Sequence, residues 1–321
     1  MAHASGANMK KIVIAGGSGF LGRILAAHFK KPGYATTILT RSPTPTADGF
    51  REIGWDGRTP GDWVRELENT DAMINLTGRS VNCRYHERNR KLILESRVES
   101  TRVLGQAIAQ CTAPPPVWLN ASTATIYKHT FGPAWDESGE IAGTPEAKDE
   151  FSIEVATAWE RTFNEAQTPA TRKVAMRAAM VLGRGKNSVF PILRRLTRLG
   201  LGGKMGNGRQ FVSWIHEQDF CRAVEWLISH DALSGAVNVA APNPGTNVEM
   251  MRIFRDTCGM PVGLPAAKWM LEIGTFFMRT EMELVIKSRR VVPRRLVESG
   301  FVFEFPFLSG ALEELCKGGT P

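Results

Sequence analysis

The chain lacks any long apolar run, any internal repeat and any paired cysteine spacing, and each absence removes a class of protein. No stretch approaches the roughly 20 apolar residues that a membrane helix needs, so no membrane partner is expected. The five cysteines, Cys83, Cys111, Cys221, Cys258 and Cys316, form neither a disulfide framework nor a zinc knuckle. Their odd, scattered arrangement reads as reduced thiols and predicts a cytoplasmic location. His28, His86, His129 and His230 have no metal-ligand spacing, so no metal is expected. The first eight residues have no basic segment followed by an apolar one; they read as a leader, not a secretory signal. No coiled coil or low-complexity tract is present. The net charge of +8 favours anionic ligands, and no nucleic-acid motif accompanies it, so nucleic acid is not an expected partner.

What is present begins at residues 11–22, Lys-Ile-Val-Ile-Ala-Gly-Gly-Ser-Gly-Phe-Leu-Gly. Ile12 to Ala15 read as a short buried strand, and Gly16, Gly19 and Gly22 then open an amphipathic helix through Leu25, Ala26 and Phe29. Glycines at this spacing permit a tight turn, close backbone approach to a pyrophosphate and close helix–strand packing. The phosphates would sit at the helix N-terminus, where free N–H groups and the helix dipole favour negative charge. The spacing is Gly-x-x-Gly-x-x-Gly, so the motif gains its weight from its place between a strand and a helix.

Further strands read at 35–40, 72–75, 117–120 and 173–177, with helices at 62–69, 87–110 and 149–166. Strand–helix alternation predicts an α/β fold: a Rossmann-type doubly wound parallel sheet, with ligands at the carboxyl ends of the strands. Residues 9–184 are assigned to this domain, completed by about 211–240; residues 185–210 and 241–318 read as a smaller α+β lobe. In the second part, 189–199 reads as a basic helix, 211–215 and 236–239 as strands, and 218–229 as a helix. The long segment 122–148, rich in Gly, Pro and acidic residues, reads as a lid or a mobile loop.

The second strand ends in Leu39-Thr40-Arg41-Ser42. An NAD-preferring fold places an acidic residue about 20 positions beyond the glycine turn, to accept from the ribose 2′-hydroxyl. Arg41 stands there with no acid beside it, and a guanidinium fork suits a 2′-phosphate. NADP is therefore the expected cofactor. Asn75-Leu76-Thr77-Gly78 ends the next clear strand, where small residues admit close backbone approach.

Across residues 9–317 the chain resembles an extended short-chain dehydrogenase/reductase. More narrowly, it resembles the subgroup called epimerase family proteins, some of which are described as cell-division inhibitors. The resemblance rests on Gly16–Gly22, Trp55-Asp56, Ile74–Gly78, Ser96-Arg97, Trp159-Glu160 and Arg177-x-x-x-Val-Leu-Gly183. It continues through Gly200–Gly203, the string Gly206 to Asp219 with Gln210 and His216, Asn238, Ala241-Pro-Asn-Pro244 and Val292-Pro-x-Arg-Leu296-x-x-x-Gly-Phe301. It implies a cofactor held by Gly16, Gly17, Ser18, Gly19, Phe20, Leu21, Gly22, Thr40, Arg41, Asn75, Leu76, Thr77, Gly78, Arg97 and Ser122.

Active members of the wider family carry a Ser or Thr, a Tyr, and a Lys four residues after the Tyr. Ser122 and Thr123 match the hydroxyl position, whereas none of Tyr34, Tyr85 and Tyr127 has Lys four places on. Ser152, Val155 and Ala156 stand near where the pair would fall. Tyr127, beside Lys128, is the stand-in proton donor, and Ser122, Thr123 and Tyr127 are the candidate catalytic residues. By resemblance, Arg177, Arg209 and Gln210 lie where relatives contact a nucleotide diphosphate; Arg84, Arg194, Arg195 and Lys204 add positive charge. His216 reads as a structural hydrogen-bonder. Two functions stay open. One is an NADP-dependent oxidoreductase or epimerase acting on an anionic small molecule, as a homodimer. The other is a non-catalytic NADP-binding regulator with a protein partner.

Overall fold

The computed structural model describes residues 9–44, 50–266 and 286–317. The leader at 1–8, the end of the loop after Arg41, and the parts of the predicted lobe at 267–285 and 318 lie outside the described residues. Seven strands form one parallel sheet: β1 (Lys10–Ala15), β2 (Tyr34–Thr40), β3 (Arg51–Gly54), β4 (Ala72–Asn75), β5 (Val117–Thr123), β6 (Arg172–Ala178) and β7 (Gly235–Val239). Their order is β3-β2-β1-β4-β5-β6-β7, so the chain winds outward from β1 to one edge and returns through β4 to the other.

Central strands read as unbroken apolar runs because both faces are covered. On β1, Ile12 and Ile14 join a cluster with Leu25 of α1 (Phe20–His28). Val13 and Ala15 point the other way and pack against Val103 and Leu104 of α2 (Glu87–Gln110) and Phe163 of α3 (Glu150–Glu165). Strand β3 escapes a periodicity reading because Arg-Glu-Ile-Gly is a short, half-exposed edge. The predicted helix at 62–69 is a 3-10 turn over Asp62–Leu67.

Beyond β6 the chain adds the helices α4 (Val189–Leu196), α5 (Glu217–Ser229), α6 (Asn247–Cys258), α7 (Arg294–Glu298) and α8 (Leu308–Lys317). Of these, α5 lies against α1 and belongs to the sheet's flank. The predicted strand at 211–215 is two short pieces, Phe211–Val212 and Trp214–His216, which pair outside the main sheet. The predicted helix 189–199 ends at Leu196 and runs into a π turn closed by Gly200 at φ +76°. Helix α6 opens on a capping box, Thr246 with Glu249, and closes on left-handed Gly259.

Segment 122–148 is a docked platform rather than a free lid. Its Trp135 exchanges backbone hydrogen bonds with the C-terminal chain, donating to Arg290 O (2.7 Å) and accepting from Val292 N (2.9 Å). Buried Lys287 donates to Thr125 O (2.6 Å) and pairs with buried Asp149. On α5, Asp219 accepts from the backbone N–H groups of Glu304 (2.9 Å) and Phe305 (2.8 Å), stapling the chain's end to the sheet's flank.

Candidate active site

Strand register places the crevice. Leu39, Ala15, Asn75, Asn120 and Ala175 pair in one row across β2, β1, β4, β5 and β6. The residues that follow them line the carboxyl edge where the winding direction reverses, which is the ligand-binding position of such folds. Gly16 turns there at φ +79°, and a Cβ on it would lie 2.9 Å from the Leu76 carbonyl carbon. At Gly22 a Cβ would lie 2.4 Å from Gly17 Cα, so only glycine lets α1 start so close to the turn.

Ser18 and Gly19 are exposed at the tip of that turn. Helix α1 has neither a side-chain cap nor an acidic residue in its first turn. Its leading N–H groups therefore offer an anion site. Phe20 and Leu21 pack against the core beneath, and Phe20 also fills the space beside Gly183 and Gly185. Close by, the Thr77 hydroxyl is buried with no hydrogen-bond partner among the described residues, an oxygen that a bound ligand would satisfy. At the β2 end, Thr40 is buried and Arg41 is exposed, with no partner for its guanidinium among the described residues. The turn, the orphan hydroxyl and the free guanidinium fit a phosphorylated dinucleotide.

Asn75 fixes the floor of the crevice. Its side chain donates to Asn120 Oδ1 (2.7 Å) and Thr101 Oγ1 (3.2 Å) and accepts from Thr77 N (3.0 Å). Trp159 Nε1 donates to the same Thr101 hydroxyl (3.0 Å). Arg97 lies against Gly78, where a Cβ would come within 3.1 Å of its Cζ, and over the Trp159 ring at 5.1 Å. Among the described residues it donates to two carbonyls, Ile93 O (2.9 Å) and Arg79 O (3.1 Å). Desolvation without a carboxylate neighbour drives its pKa down to about 10.

The predicted catalytic and substrate residues gather differently from the sequence expectation. Arg177 is turned inward, with Nε and Nη2 each donating to Glu160 at 2.8 Å. Burial opposes its charge, but these bonds and the field of Glu160 hold its pKa above the ordinary value. Ser122 donates to the same carboxylate (2.6 Å). Tyr127 is 2 % exposed; its hydroxyl accepts from Arg177 Nη1 (2.9 Å) and donates to Asn238 Oδ1 (2.8 Å). Desolvation raises the Tyr127 pKa despite the guanidinium beside it. The proton-donor reading of Tyr127 and the phosphate-contact reading of Arg177 are corrected accordingly. Both groups are enclosed, and each is already satisfied by a buried partner. Lys128 points away from Tyr127 and binds Glu140 (2.9 Å).

Thr123 differs from its neighbour. Its oxygen accepts from Thr125 N (3.1 Å), which leaves the hydroxyl proton available at the half-exposed end of β5. Among the lobe candidates, Gln210 is buried and donates to Met205 O (3.0 Å), so it braces its own loop. Arg209 is exposed, 5.9 Å above the Phe131 ring, and Arg84 is half-buried with its carbonyl on Asn89 (2.7 Å). Arg194 leaves the proposed cleft altogether and approaches the carbonyl of Cys316 (3.5 Å). His216 accepts from Gln218 N (3.1 Å) as the cap of α5 and meets Glu314 through Nε2 (3.0 Å). Burial lowers its pKa despite that carboxylate, as suits a neutral structural histidine. Thr101 and Asn120 went unrecognised in the sequence, and Glu160 was read there only as part of the Trp159-Glu160 mark, because each meets its partners only across the fold.

Fold and crevice together define a dinucleotide-binding Rossmann protein. The profile of the NAD dependent epimerase/dehydratase family matches residues 12–240, and the chain belongs to that family. A second profile, a domain of unknown function designated DUF1731, matches residues 266–315. The epimerase family protein SDR39U1 of Bos taurus is 30 % identical over 311 residues, covering 95 % of this chain and 99 % of that protein. The epimerase family protein YfhF of Bacillus subtilis is 28 % identical, covering 95 % and 97 %. Among solved structures, human SDR39U1 with NADPH superposes with a TM-score of 0.83 at 28 % identity, over 96 % of this chain and 99 % of that one. A UDP-N-acetylglucosamine 4-epimerase from Bacillus cereus has a TM-score of 0.74 at 18 % identity, over 97 % and 98 %, a likeness of fold alone.

Proposed function

We propose that this protein binds NADP(H) and acts as an NADP-dependent oxidoreductase or epimerase on a carbonyl or alcohol of an anionic, phosphorylated or nucleotide-linked small molecule. The observation that carries the reading is the crevice itself: an uncapped helix start behind Gly16, the unpartnered Thr77 hydroxyl, and Arg41 free where an NAD-binding fold keeps an acid. The NADPH found with the human relative supports the choice of cofactor. When bound, the dinucleotide supplies hydride donation or acceptance. The first-turn amides of α1 hold its diphosphate, and Arg41 holds the 2′-phosphate. Thr77 and Arg97 would line the same site beyond the end of β4. Thr123 donates its free proton to the substrate oxygen, polarising a carbonyl or orienting an alcohol. Ser122, Glu160, Arg177 and Tyr127 form the rigid wall beside it.

Hydride exchange with labelled NADPH across a panel of phosphorylated carbonyl compounds tests the reading, with Thr123→Val as the internal control. Expected is transfer by the wild type and a 10²-fold or greater loss in the variant, about the size of one oxyanion-type donor. A second reading has a specific support: Ser122 and Tyr127 are both held inward, and the chain has no Tyr-x-x-x-Lys. That reading is a non-catalytic NADP(H)-binding regulator. It predicts NADPH binding without turnover on any panel member, and a protein partner recovered only with cofactor bound.

A further inference from the structure

Two of the five cysteines line one cavity that shares no residue with the crevice. Cys258 is the last residue of α6, and Cys316 lies one residue from the end of α8. Both line one cavity of about 700 Å³ between these helices, together with Arg198, Arg252, Ser309 and Lys317. The helices are held together by Met250, Phe254, Leu308 and Leu312, and Cys316 packs at the edge of that cluster. Gly259 ends α6 at φ +66°, and its N–H returns to Asp256 O (3.2 Å), which fixes Cys258 at the helix end. We propose that Cys258 and Cys316 are a dithiol that closes reversibly into a disulfide, tying the C-terminal helix to α6.

Supporting chemistry surrounds the pair. Both thiols face the same cavity, and burial and the field of Cys258 raise the Cys316 thiol pKa. Arg194 and Arg198 oppose that rise without reversing it, so the thiolate that starts the reaction grows in as pH rises. The step balances with a hydroperoxide as oxidant. One thiolate attacks the outer peroxide oxygen, the O–O bond breaks, and an alcohol (water, from hydrogen peroxide) leaves with a sulfenic acid formed. The second thiolate attacks that sulfur, the S–S bond forms, and hydroxide leaves to take up a proton as water. Two electrons pass from the sulfurs to the peroxide.

The bond would act on a helix that holds the loop behind the crevice. On α8, Glu314 accepts from Arg184 Nη2 (2.7 Å) and meets His216 Nε2 (3.0 Å). Arg184 lies between Gly183 and Gly185, the two residues packed on Phe20 at the start of α1. Securing α8 therefore secures the loop that backs the first turn of α1.

The test treats the full-length protein with hydrogen peroxide, then maps its peptides and counts thiols. The expected product is one cross-linked peptide joining Cys258 to Cys316, about 2 Da lighter than the reduced pair. Titratable thiols fall from five to three and return with dithiothreitol. Cys258→Ser and Cys316→Ser should each abolish the cross-link and the reductant-reversible rise in thermal midpoint. Peroxide that modifies single cysteines, or links another pair, while circular dichroism stays native overturns the proposal. So does a cross-link that survives in either serine variant.

Discussion

Gly19 separates what the phosphate turn does for folding from what it does for the cofactor. Its φ of −75° and ψ of 171° lie in extended backbone that alanine adopts freely. An added Cβ would meet only the Gly16 carbonyl oxygen, at 3.5 Å, an ordinary contact. In Gly19→Ala two small effects then oppose each other. Removing a glycine from the unfolded chain stabilises by about 0.4–1 kcal/mol. Alanine is a poorer residue than glycine at a helix N-cap, by a comparable amount of about 1 kcal/mol. The ligand-free melting temperature should stay within about 4 °C of wild type. With NADPH the outcome is different, because the methyl occupies the space through which the diphosphate reaches the α1 amides. Overpacking such a contact costs about 1–3 kcal/mol, a loss of roughly 5- to 150-fold in affinity. NADPH fluorescence titration beside a thermal melt gives both numbers from one preparation. Wild-type affinity in a normally folded Gly19→Ala would refute the placement of the diphosphate. Gly22→Ala provides the contrast: its Cβ would fall 2.6 Å from Gly16 O, so stability and affinity should drop together.

Arg41→Ala should weaken NADPH by about 10- to 100-fold and leave NADH within twofold, since a charge-assisted pair contributes about 1.5–3 kcal/mol; calorimetry with both cofactors decides. Glu160→Gln leaves the Arg177 charge buried without its carboxylate and should cost about 3–5 kcal/mol in urea unfolding; a cost under about 1 kcal/mol would show that the site admits water. Acid should attack the α1–α5 contact through Glu225. Burial raises this carboxyl, but hydrogen bonds from Lys31, His28 and Tyr34 outweigh it and bring the pKa down to about 2 from 4.5. A depressed carboxyl contributes stability that is complete above pH 4.5 and is lost as pH falls toward 2. Glu225→Gln should therefore lose less stability than wild type on acidification from about pH 6 to pH 3, as read by denaturant midpoints; parallel curves would contradict that sign.

The sheet was legible because its signals are local. Ile12 to Ala15 followed by three spaced glycines needs only about a dozen residues of context, and the short strands at 72–75 and 117–120 are likewise marked by their own residues. The candidate chemistry was illegible because its contacts span long stretches of chain. Glu160 and Arg177 sit on different elements, the Tyr127 hydroxyl finds Asn238 on β7, and Asp149 finds Lys287 in the C-terminal segment. An arginine that answers a buried carboxylate and one that awaits a phosphate are the same letter. Arg177 and Arg41 are distinguished only by what stands opposite them. Segment 122–148 carried the composition of a mobile loop, yet the pairing of Trp135 with residues 290–292 gives it a fixed course.

Leu296 and Phe301, which follow the second family segment's opening residues, lie in the same apolar cluster as Ile12 and Ile14 of the first strand. Arg295 reaches back to the carbonyls of Ser234 (2.5 Å) and Ala236 (2.7 Å) along β7. The two family segments are thus not cassettes that recombination can exchange one at a time. A gene fragment stopping near residue 240 would encode a nucleotide domain with an unsealed flank, and a chimera between relatives would have to import both halves together.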